Sequence, residues 1–528
     1  MLAVLLLSLL LAPESGWVQE RVTAKEQGAG RGGVYRRPLG NEPGTLDPAR
    51  VTGFYGLTVV EQIFEGLVQF DQNLMIAPAL ASYWKASRDG LTWTFTLRKV
   101  SFHHGREVTA DDVVYSFTRL LDPRLKSGAA DLFSGIKGAR QFREGKAASV
   151  EGLTVVDRHT IQVTLSEAFA PFVSLLAVGH AKIVPRDLVT QGGEAFGMRP
   201  VGTGPFKFVR WDRGREIVLA ANTEHYAGAP RLAEVRYQIF AGEPIDVIHR
   251  EFLAGNLEDS PVPFEARGKP GPYQYIRRPM FSVRFYGFNT RHKPLDDRRV
   301  RQALVHAVDR DRIRDDIYLG RYHPARGVLP PGTPGFNPDL RDLPYSVERA
   351  RLLLRQAGYG DGRRFPPLTL WSSVKSERLL REHQFIKASL ADVGIPVDVR
   401  YETDWPTFSR LLEEGKLPFF LQAWYADVPD PDNFLTKLFF SKSPRNFTGY
   451  ANPVVDDFLM HARTESDLSR RVELYRRAER VILDDAPIMP VWHYTYERLF
   501  QPYVRSVEVN GLGDPYIPFR KIWLEAPR

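Results

Sequence analysis

A chain of 528 residues exceeds what one hydrophobic core organises, so two or three domains are expected. Hydrophobic residues make up 43% and charged residues 25%, an ordinary soluble balance, and the net charge of +8 comes from lysines and arginines scattered without a basic block, which sets nucleic-acid binding aside. Cysteine is absent, which excludes disulfides, thiol catalysis, thiolate metal sites and a lipid anchor on an N-terminal cysteine.

Residues 1–29 read as a signal peptide and flexible leader. The apolar run 2–12 is too short to span a bilayer and has the length of an export-signal core, although no positive segment precedes it. Residues 41–48, NEPGTLDP, form a turn-rich loop. A helix is expected over 58–67, with Val59, Ile63 and Leu67 on one face. The clearest strand is 91–98, where Leu91, Trp93, Phe95 and Leu97 alternate with polar residues. Thr109 and Asp112 have capping-box spacing ahead of a helix that Asp122-Pro123 stops. Segments 153–156 and 161–165 form a hairpin. Adjacent His103 and His104 make a poor chelate and suit surface or capping roles.

The turn 201–206, VGTGPF, lacks the lysine of a phosphate loop and leads into a strand, so its glycines are expected to supply unusual φ angles. Further on come a strand at 281–288, a helix after Leu295 and Asp296, and a proline-rich loop over 324–338. Ser346 caps the next helix, with Gly358 beyond its end. A strand at 368–371, a helix at 377–393 and a strand at 395–401 predict an α/β unit with a parallel pair. The last long helix covers 469–483, and a strand at 491–496 follows.

After an apolar strand at 419–424 comes 424–435, WYADVPDPDNFL, with three aspartates, two prolines and three aromatics. Asp-Pro and Pro-Asp steps make it a stiff loop, able to hold a cationic group or simply to face water. No zinc-protease, serine-hydrolase, P-loop or EF-hand pattern is present.

With NEPGTLDP (41–48), EGLVQFD (65–71), the run from Trp93 to Pro123, VGTGPFKF (201–208), the run from Gly287 to Ile313, WYADVPDPDNFL and 451–456 in this order, the chain resembles the bacterial extracellular solute-binding proteins of family 5, the receptors of peptide and nickel ABC importers. The resemblance implies an α/β, two-lobed periplasmic-binding-protein fold with mixed sheets, a hinge between lobes and an extra α+β domain on lobe I. Lobe I would comprise 30–75, 175–286 and 492–528, the extra domain 76–174, and lobe II 287–491. The hinge crossings would lie at Gly287-Phe288-Asn289 and near Pro490-Val491.

It further implies a monomeric, non-catalytic periplasmic receptor without cofactor or metal. Such a receptor takes di- or oligopeptides in the interlobe cleft and delivers them to the inner-membrane permease subunits and the ATPase behind them. Asp427 would hold the ligand's α-amino group, with Trp424 and Tyr425 as pocket walls. Asn41, Glu42, Gly202, Thr203 and Gly204 would approach from lobe I. Segment 237–279 is shorter and more irregular than the family pattern. A nickel chelate, an opine or an oligosaccharide as solute remains open, as does a hydrolase.

Overall fold

The computed structural model describes residues 32–266, 271–340, 342–360 and 364–525; the expected signal and leader lie outside them. Two lobes of mixed sheet share the chain. The second lobe is built on a six-stranded sheet in the order His323–Pro324, Ile488–His493, Ser282–Phe288, Phe419–Tyr425, Leu368–Ser372 and Val397–Tyr401. Leu368–Ser372 runs parallel to both of its neighbours, and Glu377–Ala391 is the helix joining it to Val397–Tyr401, as the α/β pattern predicted. Ser282–Phe288 is buried at every residue because sheet neighbours flank it and helices cover it, and its one charged residue, Arg284, is buried with a carboxylate partner.

The first lobe carries a four-stranded sheet in the order Val34–Leu39, Glu234–Ile239, Glu216–Ala221 and Phe206–Asp212. Beside it lies a three-stranded sheet of Asp259–Pro261, Thr495–Phe500 and Gln274–Pro279. A separate antiparallel sheet, Ala81–Ala86, Thr92–Leu97, Thr160–Thr164 and Leu153–Asp157, packs Phe95, Leu97, Ile161 and Val163 against the helix Ala110–Leu121. That helix opens with the expected capping box between Thr109 and Asp112.

The chain passes from the three-stranded to the six-stranded sheet at residues 280–281 and returns at Tyr494. Gly287-Phe288 and Pro490-Val491 are inside the large sheet, on the second-lobe side of both passages. The two passages are tied together: the Met280 amide donates to the Tyr494 carbonyl (2.8 Å) and the Tyr494 amide to the Ser282 hydroxyl (3.0 Å). Beneath them, Arg284 gives two hydrogen bonds to Glu382 (2.7 and 2.8 Å), which also accepts from the hydroxyls of Tyr286 (2.6 Å) and Tyr318 (2.7 Å). The Arg284 guanidinium lies 4.0 Å from the centre of the Trp492 ring, so one buried ion pair links both passing strands to the helix behind them.

Three expectations need correction. The first helix spans Gly53–Ile63, starting earlier than expected, since Gly53 at φ +73° turns the chain into it and Phe64 is extended. Gly202 and Gly204 do not serve positive φ. A Cβ at either would lie 2.1 or 2.6 Å from the carbonyl oxygen of Ile63 or Gln62, so close backbone approach is what excludes a side chain. The acidic stretch is a loop only to Pro431; Asp432–Phe439 is helical, because Pro431 adopts helical φ and ψ and the Asp430 carboxylate accepts the Asp432 amide (2.9 Å).

In the helix Leu468–Asp485, Glu479 is buried and accepts the amides of Val328 (2.7 Å) and Leu329 (2.9 Å), fastening the proline-rich loop. Burial pushes its carboxyl up from 4.5 to about 7, with the two amides pulling the other way. Between pH 4.5 and 7 the folded chain keeps a proton that the unfolded chain releases, so this group's contribution to stability falls as pH rises. Glu479→Gln keeps the acceptor and removes the ionisation. Measured by urea unfolding, it should gain about 3 kcal/mol on the wild type between those pH values, at ~1.4 kcal/mol per unit; a pH-independent difference contradicts this. Glu382→Ala strands the Arg284 charge and should cost about 3–5 kcal/mol in the same assay.

Candidate functional site

The strand Phe419–Tyr425 carries the acidic loop out of the six-stranded sheet towards the first lobe. Two of the loop's three aspartates are spent on the protein itself. Asp430 is buried and ion-paired with Arg471 at 2.5 Å; Asp432 is buried, ion-paired with Arg463 at 3.2 Å and bonded by the Tyr475 hydroxyl at 3.2 Å. Asp427 differs. It is exposed, its carboxylate accepts only the Asn433 side-chain amide (3.3 Å), and its own amide donates back to Asn433 (3.1 Å). Among the described residues no lysine, arginine or histidine lies within ion-pair distance of it.

The loop is fixed from both sides. The Trp424 indole donates to the Asn433 carbonyl (2.7 Å), closing the loop on its own lobe. Val428, next to Asp427, is buried in the hydrophobic cluster that includes Leu67, Phe172 and Ile183. Asp427 therefore stands at the boundary between lobes. Its charge reaches across it: burial lowers the His180 imidazole, while a bond to the Val51 carbonyl and the Asp427 charge act in the opposite sense. Tyr516 is raised above the usual phenol range first by burial, then by Glu61 and Asp427.

Tyr425 is half-exposed and stacks on Tyr494 at the chain crossing, with ring centres 5.3 Å apart. Its edge meets Phe54 of the first-lobe helix at 5.8 Å. Tyr425, two residues before Asp427, and Phe54 of the first-lobe helix thus meet at the lobe boundary. The other sequence candidates are engaged by first-lobe groups. Glu42 accepts from the Trp211 indole (2.9 Å) and the Gly214 amide (3.1 Å) and lies 3.3 Å from Arg213, while Asn41 accepts the Glu42 amide (2.9 Å). Gly202, Thr203 and Gly204 are buried against the end of the first helix, where His103 hydrogen-bonds the Gly204 carbonyl (2.9 Å). Burial holds that histidine at about 4. His180, Phe54, Tyr494 and Tyr516 were not singled out from sequence; they come from four distant segments with no local pattern to mark them.

Among the described residues no cluster of three or more histidines or carboxylates is placed to hold a metal, and no helix is long and apolar enough to cross a membrane. The model of the bacterial extracellular solute-binding proteins, family 5 middle, matches residues 75–446. The chain is 31% identical over 476 residues to di/tripeptide-binding protein 2 of Pseudomonas aeruginosa, covering 85% of this chain and 88% of that protein. It is 30% identical to the periplasmic murein peptide-binding protein MppA of Escherichia coli (90% and 91% covered) and 32% identical to heme-binding protein A of Haemophilus influenzae (90% and 89% covered). Among solved structures, the unliganded open form of MppA superposes with a TM-score of 0.80 at 28% identity, covering 94% of this chain and 98% of that one. DppA of Helicobacter pylori in complex with the peptide STSA gives 0.77 at 28% identity, covering 95% and 99%. The two lobes, the mixed sheets and the ordered motifs have one explanation: this chain belongs to the bacterial extracellular solute-binding proteins of family 5, non-catalytic receptors of ABC importers.

Proposed function

We propose that this receptor captures short peptides in the gap between its lobes, in the periplasm, and delivers them to a membrane permease, with Asp427 binding the ligand's free α-amino group. The observation that carries this reading is the unequal treatment of the three loop aspartates. Arg471 and Arg463 neutralise Asp430 and Asp432, whereas Asp427 is anchored by an amide and left without a cation at the lobe boundary. An ammonium supplied by the ligand completes that pair. Closure around it excludes water and lowers the local dielectric, which strengthens the attraction and penalises ligands that bring no positive charge. The names of the di/tripeptide-binding and murein peptide-binding relatives support the same class of solute.

In this reading Tyr425 and Phe54 form walls beside the amine, and Trp424 keeps the loop in place for them. The lobes move about the passages at residues 280–281 and 494, with lobe II between them, the extra domain over 76–174 and the remainder forming lobe I. Binding then stabilises the closed form through contacts to both lobes, and that form docks on the permease.

Mass spectrometry of ligand released from the purified protein should find short peptides with free N-termini. Calorimetry with such a peptide should show Asp427→Ala losing about 2–5 kcal/mol of binding free energy, the range for truncating one partner of a buried charge pair. Unchanged affinity removes Asp427 from the site. Release of a solute with no amine overturns the peptide reading.

A further inference from the structure

The helix Gly53–Ile63 ends with two carboxylates, Glu61 in its last turn and Glu65 just beyond, with no basic residue in that turn. A helix C-terminus disfavours negative charge, so helix stability gives no reason for them. Both line a cavity of about 290 Å³ in the first lobe. One water needs only ~10–15 Å³ by the same measure, so the space suits an organic group.

Each carboxylate is half satisfied. The Lys182 ammonium donates to one oxygen of Glu61 at 2.7 Å; the other oxygen is buried without a partner. One oxygen of Glu65 accepts from the Tyr226 hydroxyl (2.8 Å) and lies 3.3 Å from His225 Nε2; the other is also buried without a partner, in a residue 8% exposed. At the rim Lys521 pairs with Glu508 at 2.8 Å, Asp71 caps its own turn, and Arg520 is held by the Ala227 carbonyl, which fixes its position and leaves its charge. The inner end holds the Glu61 and Glu65 carboxylates against the Lys182 ammonium, with the Arg98 guanidinium 5.5 Å from the centre of the Tyr226 ring. The rings of Tyr226 and Tyr516 line the same space with Asn510; the neighbouring Gly511 carbonyl accepts the Phe281 amide (2.7 Å), and the Phe281 carbonyl accepts the Ala426 amide (2.8 Å), which ties the cavity wall to the start of the acidic loop. Two acceptor oxygens beside aromatic rings match a group with several N–H donors and a positive charge.

We propose that this first-lobe cavity, through Glu61, Glu65 and the rings of Tyr226 and Tyr516, is a second cation-recognition pocket that takes the ammonium or guanidinium side chain of a basic ligand whose α-amino group sits on Asp427. The proposal rests on the peptide reading above and adds selectivity for basic side chains.

The test is calorimetry with alanyl-lysine and its uncharged near-isostere alanyl-norleucine. The wild type should bind the lysine peptide roughly tenfold or more tightly, as expected for a hydrogen bond to a charged group. Glu65→Gln should bring the two affinities close together. Equal binding of both peptides by the wild type overturns the proposal and leaves a water-filled cavity; so does a preference that survives in Glu65→Gln. If neither peptide binds, the peptide reading fails on its own, and ethylguanidinium decides the pocket by thermal shift. Greater stabilisation of the wild type than of Glu65→Gln sustains the pocket, and equal shifts overturn it.

Discussion

One carboxylate held in place but left without a cation of its own governs the account. Asp427 accepts a side-chain amide from Asn433, which orients it without discharging it. Neutral donors fix geometry, whereas a protein arginine would fill the place a ligand amine must take. Asp430 and Asp432, three and five residues on, show that alternative realised: each has its arginine, and each serves to hold the loop against the helices behind it. In the proposed mode the attraction between Asp427 and a ligand ammonium, weak in open water and strong once closure removes the water, would supply selectivity and favour the closed form together.

The rest of the second lobe keeps that loop from drifting. Its strand is central in the six-stranded sheet and pairs with Ser282–Phe288, which leads directly from the first passage between lobes. The Arg284–Glu382 pair under that strand is costly to bury, yet two tyrosine hydroxyls and the Trp492 ring satisfy it from several directions. It joins both passing strands to a helix of the same lobe, which leaves residues 280–281 and 494, outside the sheet, as the places to bend in the proposed closure. The Tyr425–Tyr494 stack places one wall of the site directly on the second passage. In the proposed site a ligand touching Tyr425 would act beside that passage.

Much of this was legible in the sequence where one local force dominates. Alternation exposed the strand Thr92–Leu97, the Thr109–Asp112 spacing exposed the helix start, and the pattern after Leu368 exposed the parallel unit. What stayed hidden depended on distant backbone. Nothing near Gly202 and Gly204 says that the carbonyls of Gln62 and Ile63 will press on them. Proline at 431 looked like a breaker, but at a helix start it costs nothing, and so residues 432–435, the first turn of the helix Asp432–Phe439, were read as loop. In the site, Asp427 was singled out through the family resemblance, because three aspartates in twelve residues are equivalent on composition alone. Their partners, Arg471, Arg463 and Asn433, distinguish them only after folding.

Recognition of the ligand's amine by Asp427 is the interaction to measure first. Calorimetry with one peptide in free and N-acetylated forms removes that charge, at the cost of an added acetyl group, and leaves the protein untouched. The free peptide should bind, and the acetylated form should lose about 2–5 kcal/mol, the cost of an uncompensated charge in a closed site. Equal affinity for the two forms would contradict the central claim.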